Sequence, residues 1–434
     1  MSLGGRQGGL LGTLTSPVAA IRATVRRHRP DYMIVLYMGL LMLFGLIMIY
    51  AIGPQRANVL NTLQGTDYTD TYFFIKQTVS VLLSLTVFGL MAVLPYKWIM
   101  NNGGKLLIIG LVSCAILAIA GWAKLSIAQC SLGACRWFEL GVLGSLQPAE
   151  ILKFGILVFV AGFLGTKISQ GKVNHTQDTL IPLGVITALS LLFVVIIQKD
   201  LGTGIALISI ITTMLVIGGV SKKVGLTLLG LVAVAGIMTI VIAPHRVDRI
   251  TTFLQGDNTS TSDPGGYHIE HAKIAIGTGG LFGVGIGNSI QATGYLPEAI
   301  NDSVFAIMGE TFGFVGLVAI LALFVALLMR LLKLMDHLID IRLKLLVSGV
   351  FGWLGAHVIL NVASMIGIFP LTGITLPLLS FGGTSMIFIA AALGLAFQLS
   401  RYTIHTSRLK EETDEDSSSR RGIGRSRYTG RRSS

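Results

Sequence analysis

"YMIVLYMGLLMLFGLIMIYAIG", Tyr32 to Gly53, contains no charged side chain. An α-helix rises about 1.5 Å per residue and the hydrocarbon core of a bilayer is about 30 Å thick, so about 20 apolar residues suffice to cross it. Comparable stretches recur near 73–95, 106–123, 149–168, 180–198, 201–219, 225–243, 303–329, 345–368 and 379–400, making ten with the first. The composition agrees: 52% of the 434 residues are hydrophobic and 12% charged, against roughly a quarter charged in soluble domains. This pattern predicts an all-α polytopic membrane protein of about ten transmembrane helices.

Lysine and arginine set the expected orientation, because short exported loops carry few of them. With both termini inside, most of the 33 basic residues fall in inner loops or terminal segments. The outer loops then hold Arg56, Lys124, Arg136, Lys199, Arg246, Arg249 and Lys273, while Lys76 and Lys153 lie within spans. The net charge of +12 is accounted for by this insertion pattern and an anionic leaflet, so nucleic acid is not required. Residues 1–30 read as a basic cytoplasmic segment without a cleavable leader, 31–400 as the membrane domain, and 401–434 as a disordered cytoplasmic tail rich in Ser and Arg.

The connection from 243 to 302, between the seventh and eighth helices, is too long for a simple turn. Within it "YHIEHAKIAI" is apolar at helical spacing and "GTGGLFGVGIGNSI" is glycine-rich yet hydrophobic. The glycine run lacks the Gly-Lys-Ser/Thr ending of a phosphate loop and reads as a close-packed backbone turn. A re-entrant path is compatible with the segment if protein covers its backbone. Three acids follow: Glu298 and Asp302 before the eighth span, and Glu310 inside it. Their spacing fits helix capping as well as chemistry, and Glu310 fits a buried packing contact. Elsewhere, Lys153 lies three residues after Glu150, a spacing suited to an ion pair, and Asp200 is positioned to cap the sixth helix. Cys130 and Cys135 share an outer loop where oxidation is possible, but two thiols do not make a zinc site. His268 and His271, at i, i+3 spacing with Glu270 nearby, could ligate a metal, although most such pairs do not.

Four blocks resemble the SEDS (FtsW/RodA/SpoVE) family of polytopic glycosyltransferases. They are "RWFELGVLGSLQPAEILK" (Arg136–Lys153), "QKDLGT" (Gln198–Thr203), the loop through "GYLPEAINDSVFAIMGE" (Gly294–Glu310), and "NVASMIGIFPLTGITLPLLSFGGTS" (Asn361–Ser385). The "GNS" and "YLPEA" wording leans toward the division branch. The resemblance implies polymerisation of lipid II, the disaccharide-pentapeptide on undecaprenyl pyrophosphate, at the outer face of the bacterial cytoplasmic membrane. It places the essential aspartate of the family's loop motif on Asp302, as a general base for the attacking sugar hydroxyl.

Substrate-contact candidates on family positions or at the outer face are Arg136, Lys153, Glu150, Asp200, Glu298 and Lys273. Ser380, Thr384 and Ser385 lie among small residues, suited either to close helix packing or to lipid-substrate contact. This chain departs from the family pattern at Ile300, Asn301 and Ser303 around the aspartate, at Gly294, at Lys199 and at His357. No soluble transpeptidase domain is present, so the resemblance implies a class B penicillin-binding protein as partner, alongside other division proteins. A divalent cation, Mg or Mn, would suit the leaving pyrophosphate, although no ligand cluster in the sequence calls for one. Two other readings fit a polytopic chain: a lipid II flippase, which would favour internal repeats and broken helices, and a non-catalytic division scaffold.

Overall fold

Backbone amides in hydrocarbon have no water to bond, so each long apolar run satisfies its own amides by coiling. A computed structural model of the protein describes residues 29–131, 134–139, 141, 144–221, 225, 230, 251 and 264–403. The amino-terminal segment to residue 28, most of the expected seventh span, Arg246, Arg249 and the tail from 404 lie outside the described residues.

Among the described residues eight helices are long and apolar enough to cross a membrane. They are α1 (Tyr32–Gln64), α2 (Tyr72–Val93), α4 (Gly103–Trp122), α5 (Pro148–Ser169), a composite span Thr176–Ile197 built around α6 (Ile181–Leu191), α9 (Val304–His337), α10 (Ile341–Met365) and α11 (Gly383–Leu399, extended by one turn to Tyr402). A ninth, α7 (Leu201–Ile217), is shorter, consistent with the sixth expected span being separated from the fifth only by Lys199 and Asp200. Two more helices, α3 (Tyr96–Asn101) and α8 (Pro264–Thr278), lie outside the spans.

Helix α1 outruns its apolar stretch. It continues through Pro54 to Gln64, because nothing stops it until Gly65 adopts a left-handed conformation at φ 63°. Proline removes one amide bond, and the helix tolerates that loss here. Its start is capped by Asp31, whose carboxylate accepts from the Met33 amide at 3.1 Å.

Helix α11 packs along α2, α4 along α5, and α10 against α5, α7 and α9. Trp353, Phe324, Met38 and Leu41 fill the interior, whereas Leu36, Leu43, Ile109, Ile116, Val325 and Ile359 point outward where lipid would cover them. One end of the bundle gathers the start of α1 and the end of α11: Asp31 pairs with Arg330, and its amide donates to the Ser400 hydroxyl at 2.8 Å. The other end carries everything described next.

A small antiparallel sheet in the connection from α4 to α5 was not expected from an all-helical reading. Its strands are β1 (Ala128–Ser131), β2 (Ala134–Glu139) and β3 (Ser145–Leu146), in that order. Cys130 and Cys135 are cross-strand partners in it and form a disulfide.

The glycine run packs as backbone against backbone. Residues 279–285 run beside a break in α9: the amides of Val284 and Gly285 donate to the carbonyls of Glu310 and Thr311 at 2.9 and 3.1 Å, and the amide of Phe314 donates to Gly280 at 2.8 Å. The break is at Gly313, at φ 67° and ψ −169°, a region that side chains essentially forbid. A Cβ at Gly283 would meet the Thr311 carbonyl, and one at Gly313 would meet the Gly283 amide. Glycine is what lets the loop and the helix approach this closely.

Candidate functional site

Asp302 sits at the mouth of α9, 9% exposed. The capping alternative for the acids before this helix is not what the structure has. Ser303 occupies the N-cap position, and no side chain caps there. Glu298 lies further back in a left-handed turn at φ 50°. It accepts from the Asn301 side chain and faces Arg56 at 3.7 Å, an exposed pairing worth about 0–1 kcal/mol.

The main chain around Asp302 is clamped from several directions. Asn361 of α10, 1% exposed, donates through its amide nitrogen to the carbonyls of Asp302 at 2.7 Å and Ile374 at 2.8 Å. The Phe381 amide donates to Ile300 at 2.8 Å. Ser303 donates to the Pro297 carbonyl at 2.8 Å, which leaves its oxygen to accept from His268 Nε2 of α8 at 2.7 Å and so assigns the proton to that ring nitrogen. The acid is therefore held between α8, α10 and the loop that precedes α11.

That loop, residues 366–382, is the hub of this end. Gly45 of α1 packs so closely on Leu379 that a Cβ would lie 2.7 Å from its carbonyl oxygen, and a Cβ at Gly202 of α7 would crowd Ile374. Ser380 accepts from the Leu376 amide at 2.8 Å, and its own carbonyl accepts from Gln77 of α2 at 3.3 Å. Thr384 donates to the Ser145 carbonyl at 2.8 Å, tying α11 to β3. Ser385 is half-buried, with a buried hydroxyl oxygen that finds no partner among the described residues.

Arg136 of β2 reaches across to the turn between the composite span and α7. It donates to the carbonyls of Gln198 at 3.1 Å and Lys199 at 2.8 Å, where Lys199 is itself left-handed at φ 53°. Asp200 caps α7 through the Thr203 amide at 2.9 Å and also accepts from the Thr203 hydroxyl and from Gln147 at 3.1 Å. The turn thus brings an arginine and an aspartate to the same end as Asp302. Lys273 of α8 is exposed and passes its aliphatic stem beside Gly367 in the hub loop.

Lys153 lies deeper. It is completely buried, with Nζ 2.8 Å from Glu150, 3.3 Å from His357 Nε2 and 4.9 Å from the centre of the Trp353 ring. His357 is four residues before Asn361 on the same face of α10. One face of α10 therefore carries both Asn361, which holds the Asp302 carbonyl, and His357, which meets the Lys153–Glu150 pair. Glu310 is a separate arrangement: its carboxylate accepts from the Ser289 hydroxyl and from the amides of Ile290 at 3.0 Å and Gln291 at 3.2 Å. It latches the glycine-rich loop onto α9.

The histidine pair does not converge. His268 turns to Ser303, while His271 Nδ1 meets the Gln291 side chain at 2.7 Å. Among the described residues no three His, Cys, Asp or Glu side chains cluster as a metal site. The clamp by Asn361 escaped the sequence reading, although a signal was present: His357, Asn361 and Ser364 put polar groups on one face of an apolar helix, where they are costly unless used. The Ser303–His268 contact carried no signal, because it joins residues far apart in the chain.

Known proteins share this arrangement of helices and motifs. A family model described as a cell cycle protein (FtsW/RodA/SpoVE) matches residues 31–405. The chain belongs to the FtsW/RodA/SpoVE family. Within it, stage V sporulation protein E of Bacillus subtilis is 31% identical over 386 residues, covering 88% of this chain and 99% of that protein. The probable peptidoglycan glycosyltransferase FtsW of Halomonas elongata is 33% identical over 368 residues, covering 83% and 87%. Among solved structures, a chain from a peptidoglycan synthase complex that coordinates polymerization and crosslinking superposes at a TM-score of 0.66 with 25% identity, over 86% of this chain and 98% of that one. The rod shape determining protein RodA of Thermus thermophilus superposes at 0.61 with 22% identity over 87% and 98%, a likeness of fold. Members of this family with spans of this kind are integral proteins of the bacterial inner membrane, and this chain is one.

Proposed function

We infer that this protein is a peptidoglycan glycosyltransferase that polymerises lipid II, and that Asp302 is its general base. The observation that carries the role of Asp302 is its setting: a carboxylate at the mouth of a membrane helix, 9% exposed, with its main chain fixed by Asn361. Relatives along most of the chain that are named as probable peptidoglycan glycosyltransferases support the activity.

In the proposed step the 4-hydroxyl of one disaccharide attacks the anomeric carbon of another. The new C–O bond forms as the bond to the lipid pyrophosphate breaks, with inversion, and the hydroxyl proton passes to Asp302. A positioned carboxylate contributes about 10² to 10⁴ in rate to such a transfer. Arg136, Arg56 and Lys273, on the same end of the bundle as Asp302, are the cations proposed to meet the leaving pyrophosphate. Lys153 and Glu150 contribute by holding the helix beneath. A Mg or Mn ion, if bound, would supply charge neutralisation to the leaving pyrophosphate; among the described residues no three His, Cys, Asp or Glu side chains gather to hold one, and no step here depends on it.

The end bearing Asp302 is proposed to face outward and the end bearing Asp31 and Ser400 inward. The surplus of Lys97, Lys105, Lys167, Arg330, Lys333, Arg342 and Lys344 at the latter supports that orientation. A class B penicillin-binding protein is proposed to supply crosslinking, and division is the proposed setting.

The test is glycan polymerisation from labelled lipid II by the full-length protein, alone and with its cognate penicillin-binding protein. Asp302→Asn is expected to lose at least about 10²-fold in rate while keeping its melting temperature and its partner. A variant that polymerises as fast as wild type would overturn the base assignment. A wild type that moves lipid II across vesicles but makes no polymer, even with its partner, would favour a flippase.

A further inference from the structure

At the end of the bundle opposite Asp302, where α3, α4, α5 and the start of α10 meet, lies a cavity of about 530 Å³. Its walls combine three cations, Lys97, Lys167 and Arg342, with one acid, Asp340. The acid is committed to its own helix, where it caps α10 by accepting from the Arg342 amide at 2.9 Å. None of the three cations is in an ion pair among the described residues; Lys167 instead lies over the Phe163 ring at 5.7 Å.

The cavity is built into the packing. Arg342 comes close because Gly165 has no side chain for it to meet. Gly104 and Gly162 leave the floor open, since a Cβ at either would find its nearest atom only 4.0 or 3.9 Å away. Phe159, Phe163 and Met100 make the apolar wall. Nearby Trp98 is 60% exposed, in keeping with the aromatic residues that mark a membrane–water boundary. An anionic group that enters here gains from convergent cations in a partly dehydrated recess, and basic pockets between membrane helices on the cytoplasmic side suit phosphate headgroups.

We propose that this cavity binds the phosphate headgroup of an anionic glycerophospholipid from the leaflet at that end, with Lys97, Lys167 and Arg342 on the phosphate and the aromatic wall against the glycerol. A phosphate oxyanion is the shared chemistry, and the location at the membrane boundary favours the lipid over free phosphate. The bound lipid ties α3 and α4 to α5 and α10, the two helices that carry Lys153 and Asn361.

Native mass spectrometry of the full-length protein in detergent tests this, with phosphatidylglycerol as probe and phosphatidylcholine of the same chain length as control. One phosphatidylglycerol per chain is expected to stay bound, and phosphatidylcholine to dissociate. Lys97→Gln with Arg342→Gln should weaken phosphatidylglycerol about 30-fold, from the contribution of two basic residues. Gly162→Leu keeps every charge, adds a better helix former and fills the cavity; it should abolish retention while the melting temperature holds. Undiminished binding in Gly162→Leu would show that diffuse surface charge, not the cavity, holds the lipid. Equal retention of both lipids, displacement by inorganic phosphate at the lipid's own concentration, or displacement by an equimolar "EETDEDSSS" peptide from the tail (residues 411–419) would each overturn the proposal in favour of an apolar site, a free anion or the tail.

Discussion

The mouth of α9 and the interior between α5 and α10 both hold ionisable groups within the bundle, and they handle them in opposite ways. In the interior, Lys153 is closed upon Glu150, His357 and the Trp353 ring, with no exposed surface. At the mouth, Asp302 stays at the rim of the bundle, and the bond from Asn361 runs to its backbone carbonyl. A charge in a low dielectric must be neutralised by partners or placed where something else can reach it. On the proposed function, the first arrangement supports the fold and the second positions a reactant.

The largest expected effect separates the two. Lys153→Met strands Glu150 in the interior and should cost about 3–5 kcal/mol, read as lost melting temperature and yield in detergent. Adding Glu150→Gln should recover most of it, because a missing pair costs less than a broken one. Asp302→Asn should leave the melting temperature near wild type while activity is lost. If Lys153→Met is stable but inactive, the lysine belongs with Asp302, and the contrast fails.

Glu310→Gln sharpens the comparison within α9 itself. The carboxylate accepts a hydroxyl and two backbone amides, so loss of its charge should destabilise by about 2 kcal/mol. Proteolysis of the 279–293 segment should rise accordingly. Asn361→Leu removes both bonds to the Asp302 and Ile374 carbonyls and should cost about 1–2 kcal/mol, with polymerisation falling by more than melting predicts, because the acid loses its register. The smallest effect is expected for Thr384→Val, which forfeits one bond to Ser145, about 1 kcal/mol, with activity retained. A large loss of activity there would move Thr384 from the scaffold to the substrate.

Much of the fold was legible because hydrocarbon imposes a single rule on backbone and composition together. Eight spans appear at the apolar runs of the sequence, and the 201–219 run is helical though short. The sheet around Cys130 and Cys135 was not legible, since its strands are brief and their pairing depends on the turn between them. Among site residues, the pairing of Lys153 with Glu150 and the capping by Asp200 follow from spacing alone, being local.

Length, apolar period and basic-residue placement therefore determined the class of protein, the order of its spans and the acids that mark one end. Only the tertiary structure decided which acid does what. Capping, latching and clamping depend on groups brought from α8, α10 and the 366–382 loop, and the amides that hold Glu310 and the asparagine that holds Asp302 are set by packing between distant segments. Sequence spacing records contacts along one helix, whereas the setting of Asp302 at the mouth of α9 depends on contacts between helices.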